Sequence, residues 1–365
     1  LRWVIVAGGT GGHLIPGIAI AEELLQRGEE VLFISGKRPI ERKILKDRPF
    51  LVKELEVEGL VGRPLKDKAR ALFKLFRATL SAYGLLKKYA PSVVIAEGGY
   101  VSVPVILSAR LLRVKCALHE QNLLPGRANR LLSRIVDRVF IGFPESKAHF
   151  PAEKTILSGN PVRKELLRPR AREHRGPGLL ILGGSLGARF LNDLMLKIAS
   201  RLFSEIPNLL LIHQTGHEDY ERIKGEYEKL GLWEGHKDRI KILPFIEDMG
   251  WAYGEADLVI ARAGASTLSE LIALKKPALL IPYPYAADRH QDKNAEVLAR
   301  AGAALVFKQE DLEVEKFLKS LLALMQDTET LRQMSSAYEA FGIQHPESII
   351  IEEMKKLIQE GCKDA

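Results

Sequence analysis

The chain has 365 residues, 46% of them hydrophobic, and a formal net charge of +8. That length suits two domains better than one core, and the hydrophobic fraction fills two interiors within the soluble class. The uncharged apolar stretch 98–109 is too short to span a bilayer. No signal-like segment precedes the opening strand, and Cys116 and Cys362 lack metal or redox spacing. The expectation is a soluble protein of a reducing, cytoplasmic compartment.

In chain order, residues 4–7 are a short apolar run that ends in Gly8-Gly9-Thr10-Gly11-Gly12-His13 and feeds a helical pattern reaching Leu25. Residues 31–34 read as the next strand. The segment 61–90 is strongly basic: Arg63, Lys66, Lys68, Arg70, Lys74, Arg77, Lys87 and Lys88 stand against one acid, Asp67. Such a patch suits nucleic acid, anionic lipid or a phosphorylated ligand, and a solvated helix face accounts for it equally well. On a helical projection Leu72, Phe76, Leu80 and Tyr83 share one side, with Phe73 at its border and Arg70, Lys74, Arg77 and Lys88 opposite. A stripe of that width is ordinary for a helix lying on a core, so it is assigned partly to packing, and the basic face to lipid headgroups. Strand 93–96 runs into Gly98-Gly99-Tyr100, and residues 103–112 read as helix. A strand at 117–118 breaks at His119-Glu120-Gln121-Asn122, and another spans 138–142.

After Gly159-Asn160-Pro161-Val162-Arg163 the chain turns polar from 168 to 178, which reads as an interdomain linker. The pattern then restarts with strand 179–182, the turn Gly183-Gly184-Ser185-Leu186-Gly187 and helix 188–199. Strands at 209–214, 240–243, 258–261 and 278–282 follow, and an amphipathic helix at 348–360 closes the chain. Each half thus begins strand, glycine turn, helix. Near-continuous apolar strands alternating with helices predict parallel sheets covered on both faces, with ligands beyond the carboxyl ends of the strands.

The first glycine turn is a poor dinucleotide fingerprint, because Leu14 stands where the third glycine belongs, and it lacks the Gly-Lys-Ser/Thr ending of a P-loop. Glycine turns that open helices still present N–H groups to phosphate, although a tight structural turn reads the same way. Ser185 fits a phosphate contact or an N-cap. The run His119 to Asn122 is a functional cluster or a polar turn. Glu270, one turn into the helix after Arg262-Ala263-Gly264, suits ribose hydroxyls or simply the helix dipole.

The ordered set GGTGGH (8–13), GGY (98–100), HEQN (119–122), GNPVR (159–163), GGSLGAR (183–189), FIEDM (245–249), RAGASTLSE (262–270) and PYPYAADRHQDKNA (282–295) resembles the MurG family. These are UDP-N-acetylglucosamine:undecaprenyl-pyrophosphoryl-muramylpentapeptide N-acetylglucosaminyltransferases. The resemblance implies an α/β GT-B fold, two doubly wound Rossmann-like domains with parallel sheets facing a cleft. Residues 1–162 would form an acceptor and membrane-facing domain and 163–341 a UDP-GlcNAc-binding domain. The helix in 342–365 would return to the first domain.

The same resemblance implies transfer of GlcNAc from UDP-GlcNAc to the 4-hydroxyl of undecaprenyl-pyrophosphoryl-MurNAc-pentapeptide in peptidoglycan synthesis. The configuration would invert, with no metal or cofactor, at the cytoplasmic face of the membrane, on anionic lipids, as a peripheral protein and without nucleic acid. Thr10, Gly11, Gly12 and Asn122 would face the donor sugar, Arg163 and Ser185 the diphosphate, and the backbone at Ile246 the uracil. Ala265, Ser266, Thr267, Leu268, Ser269 and Glu270 would take the sugar, phosphate and ribose, and Gln291 the sugar hydroxyls. Gly12, His13, Gly98, Gly99 and Tyr100 would accept the diphosphate of the lipid. His13 is the candidate base, or else a diphosphate ligand with Glu120 or a water as base. A UDP-sugar 2-epimerase has the same architecture without need of a lipid-facing surface, and the broken fingerprint disfavours an oxidoreductase.

Overall fold

Alternate residues of the first strand, β1 (Arg2–Val6), point to opposite faces, and both faces are buried. Trp3 and Ile5 enter one apolar cluster, Val4 and Val6 the other. That is why the strand reads as a continuous apolar run. The computed structural model describes residues 1–9, 11–57, 65–168, 170, 172–184, 186–286, 289–342 and 345–363, with backbone alone at 65–71 and 361–363. Thr10 and Ser185, both assigned to the donor, lie outside the described residues, as do Arg63 and the side chains of Lys66, Lys68 and Arg70 from the basic segment.

The chain forms two units, Leu1–Arg163 with Ile343–Ala365, and Lys164–Gly342. The first sheet joins β1 to β2 (Glu30–Ser35), β3 (Leu51–Glu54), β4 (Val93–Ala96), β5 (Lys115–Glu120), β6 (Arg138–Ile141) and β7 (Thr155–Leu157). Its order is β3-β2-β1-β4-β5-β6-β7, with every pairing parallel. The second sheet holds β8 (Gly178–Leu182), β9 (Leu210–Gln214), β10 (Ile240–Leu243), β11 (Leu258–Ala261), β12 (Ala278–Leu280) and β13 (Ala304–Val306). Its order, β10-β9-β8-β11-β12-β13, is again all parallel. Both sheets reverse their winding beside their first strand, between β1 and β4 and between β8 and β11, so each has its crevice there.

The helix Pro346–Lys363 packs on the first unit. Ile350, Ile351 and Met354 are fully buried in the cluster that holds Trp3, Ile5 and Leu24. Burying each such side chain contributes about 1.5–3 kcal/mol. Arg27 bonds both Glu352 and, at 2.8 Å, Ser348 Oγ, and Lys355 lies 2.8 Å from Glu29.

Three sequence expectations change. The strand expected to break at His119 continues through Glu120, because both residues are buried and pair with Phe140 and Ile141. The polar segment 168–178 is no loose linker. Arg172 makes a two-bond contact with Asp257 at 2.6 and 2.8 Å, and Glu255 accepts from the N–H groups of Glu173 and His174. The boundary therefore falls after Arg163, which belongs to the first unit. Finally, the apolar stripe of helix Leu65–Tyr89 does not face the core. Ala78, Ala82 and Leu86 do, while Leu72, Phe73, Phe76 and Leu80 are each 57–62% exposed. The small alanines permit close approach to helix Ser102–Leu111, whose Ser108 Oγ donates to Thr79 O at 2.9 Å.

Candidate active site

In the first unit the carboxyl ends of β1, β4 and β5 bring together Gly8, Gly9 and Gly11 to His13, Glu97 to Tyr100 and His119 to Asn122. The two glycine turns touch. Gly99 has φ +80°, and a Cβ there would lie 2.4 Å from Gly8 O. Gly98 has φ +110°, and its Cβ would meet the His13 ring at 3.0 Å. Only glycine gives both the left-handed backbone and the room. His13, in the first turn of helix Gly11–Gln26, is thus held against Gly98, and its Nδ1 lies 2.9 Å from Gln121 Oε1. Tyr100, which follows Gly99 in sequence, is 41% exposed.

Two carboxylates in this crevice build loops. Glu41, buried on helix Pro39–Leu45, accepts from the N–H groups of Gly9 and Arg38. One amide of the first glycine turn, expected for phosphate, is therefore taken by the protein itself. Glu120 is 1% exposed and accepts four bonds: from Asn122 N and Nδ2 at 3.0 and 3.2 Å, Gly126 N at 3.1 Å and Asn129 Nδ2 at 2.9 Å. Those bonds occupy both carboxylate oxygens and shape the turn that carries Asn122.

Beneath them Glu97, His119 and Gln121 form a fully buried network. His119 Nδ1 is 2.7 Å from Glu97 Oε2, and its Nε2 is 3.1 Å from Gly159 O. Burial pulls the His119 imidazole toward neutrality, but the Glu97 carboxylate and the Gly159 carbonyl override it, and the ring sits above the usual histidine range.

In the second unit the turns after β8 and β9 interlock. Gly187 (φ +79°) lies where a Cβ would be 2.1 Å from Thr215 O. Gln214, ending β9, donates to Gly184 O at 2.7 Å and accepts from Ile246 N at 3.4 Å. The Ile246 amide thus points at the Gln214 side chain, which ties the turn after β10 to the end of β9. After β11, helix Ala265–Leu274 places Ala265, Ser266 and Thr267 in its first turn, at the positive end of the dipole. Leu268 is fully buried and Ser269 Oγ donates to Ala265 O at 2.7 Å, so these two side chains serve the core and the helix. Glu270, 4% exposed, accepts from Tyr253 OH at 2.9 Å. Gln291 Oε1 accepts from Tyr283 N at 2.9 Å, which pins the Pro282–Pro284 turn.

Sequence reading did not single out Arg262. Its guanidinium donates to the carbonyls of Ile281 and Pro282 and to Gln309, between the rings of Phe190 and Tyr283. Burial pulls it down to about 10. Glu97, Gln214 and Arg262 share one signal: each is a polar residue at or just past the carboxyl end of a buried apolar strand.

Two doubly wound units, each with glycine turns and a helix start at its switch point, define a two-domain α/β protein whose ligands bind beyond the carboxyl ends of its strands. The chain belongs to glycosyltransferase family 28, whose N-terminal domain matches residues 3–141 and whose C-terminal domain matches residues 178–354. It is 38% identical to the UDP-N-acetylglucosamine–N-acetylmuramyl-(pentapeptide) pyrophosphoryl-undecaprenol N-acetylglucosamine transferase of Geotalea daltonii, over 100% of both chains. It is 39% identical to the enzyme of that name from Syntrophus aciditrophicus, over 98% of this chain and 99% of that one. Among solved structures, MurG of Acinetobacter baumannii shares 32% identity and a TM-score of 0.75, with 98% of this chain and 100% of that chain covered. A UDP-N-acetylglucosamine 2-epimerase gives a TM-score of 0.70 over 100% of this chain and 98% of its own at 14% identity, a likeness of fold alone.

Proposed function

We propose that the protein transfers N-acetylglucosamine from UDP-GlcNAc to the 4-hydroxyl of the muramyl residue of undecaprenyl-pyrophosphoryl-MurNAc-pentapeptide. The observation that carries this reading is end-to-end identity of 38–39% with transferases that bear that name. The muramyl oxygen attacks the anomeric carbon as its proton passes to His13. The bond to UDP breaks, the electron pair leaves with UDP, and the configuration inverts to a β-1,4 link. His13, Gly12, Gly98, Gly99 and Tyr100 serve the acceptor. Gly11, Asn122, Arg163, the backbone at Ile246, the first turn at Ala265–Thr267, Glu270 and Gln291 serve the donor. Helix N-terminal amides and a guanidinium stabilise the departing diphosphate without a metal. The test is incubation with radiolabelled UDP-GlcNAc and a short-chain analogue of the lipid acceptor. Label is expected in the disaccharide product, and no transfer would end the reading.

The same reading places the protein on the cytoplasmic leaflet, reached peripherally. Among the described residues no helix is long and apolar enough to cross a membrane. What supports peripheral binding is the exposed row Leu72, Phe73, Phe76 and Leu80, with exposed Arg77, Lys87 and Lys88 on the same helix. Apolar side chains would enter the interface while cations near an anionic surface contribute about 1 kcal/mol each. Co-sedimentation with vesicles is expected to rise with anionic lipid and fall with salt. Phe73→Ser with Phe76→Ser is expected to weaken it further. Binding indifferent to lipid charge, salt and both phenylalanines would refute this face.

A further inference from the structure

We propose that the buried Glu97–His119 pair, acting through the Gln121 amide, holds His13 in the tautomer with its proton on Nδ1, leaving Nε2 as the nitrogen that accepts a proton. This rests on the reading of His13 as the base and adds positioning residues to it.

The row of hydrogen bonds runs outward from its buried end. Gln121 Nε2 lies 2.9 Å from Glu97 O and 2.7 Å from Glu97 Oε2. The first is a carbonyl and can only accept. The second already faces His119 Nδ1 at 2.7 Å. Among the described residues His119 Nε2 in turn faces only the Gly159 carbonyl, so it must carry a proton. Turning the Gln121 amide over would set its oxygen against these acceptors, in a site with no water-facing surface, where an unpaired acceptor is costly. The amide orientation is therefore decided by the network, and Oε1 is the end that meets His13 Nδ1 at 2.9 Å. A carbonyl oxygen has no proton to give, so His13 Nδ1 must supply it. In the neutral ring the lone pair then lies on Nε2.

The surroundings hold this arrangement in register. Gly17 leaves room for the Glu97 stem, since a Cβ there would lie 3.1 Å from Glu97 Cγ, and Gly98 leaves room for the His13 ring. Among the described residues no donor reaches Glu97 Oε1, so both the His119 and the Gln121 bonds run through Oε2.

The experiment is a two-bond proton–nitrogen correlation spectrum of the full chain labelled with ¹⁵N-histidine, at a pH where the rings are neutral. His13 is assigned by its loss in His13→Gln. Wild type is expected to show His13 Nδ1 protonated and Nε2 unprotonated. The opposite pattern, or an even mixture, would overturn the proposal, and that result is read from the wild-type protein, with His13→Gln serving for the assignment alone. Gln121→Met keeps the length and removes the acceptor. It is expected to move His13 toward the Nε2-protonated form and to lower kcat about tenfold with the donor KM unchanged. Glu97→Gln, which lets the Gln121 amide turn, is expected to give a mixture of tautomers. An unchanged His13 pattern in both variants would also overturn it. Failure of the base reading looks different: the tautomer would be as proposed while His13→Ala kept its rate.

Discussion

Replacing His13 with alanine is expected to lower kcat of sugar transfer at saturating substrates by about 10²-fold or more, with donor affinity intact. The muramyl hydroxyl is a weak nucleophile, and its proton must leave as the bond to the anomeric carbon forms. His13 sits at the carboxyl end of β1, in the first turn of its helix, with Nδ1 engaged by Gln121 and its ring braced on Gly98. Glu120, the other side-chain candidate, is buried and committed to four bonds that build a turn. Steady-state kinetics separate the roles of His13: a raised acceptor KM with kcat unchanged would make it a diphosphate ligand only.

Gly99→Ala is expected to destabilise the first unit by roughly 2–5 kcal/mol, from a left-handed backbone that alanine disfavours and a methyl group driven into backbone. The new Cβ would lie 2.4 Å from Gly8 O, where no side-chain rotation can relieve it. The contact is between the two turns that hold His13, so transfer activity should fall along with stability. Gly84→Ala is the control. It lies exposed within helix Leu65–Tyr89, an added methyl would have nothing within 4 Å, and the change should gain up to about 1 kcal/mol. Amide exchange in β1 and β4 reads both changes. Equal protection in the two variants would mean that the turns can separate without cost.

The strands and glycine turns were legible in the sequence because each depends on short-range facts. A strand buried on both faces must be apolar at nearly every position, as in Trp3 to Val6, and a turn that needs positive φ is written in glycine, as at Gly98 and Gly99. The restart of strand, glycine turn and helix at 179–199 disclosed the second unit for the same reason. What the apolar pattern of helix Leu65–Tyr89 could not say was which side meets the core. Periodicity counts Leu72, Phe76 and Leu80 above Ala78 and Ala82, yet close helix packing favours the small residues, and the larger ones are left outside.

The polar site depended on partners far apart in the chain. Gly9 meets Glu41, His13 meets Gln121, and His119 meets Glu97, at separations of 32, 108 and 22 residues. Sequence alone determined that this protein has two parallel-sheet units with glycine turns and helix starts at the ends of their strands. Only the tertiary structure decided what each polar group at those ends does, because a hydrogen bond depends on distance and direction and leaves no periodic mark in the chain. Glu120 thereby became the template of a turn, the segment 168–178 became part of the second unit, and Gln121 became the contact that orients His13.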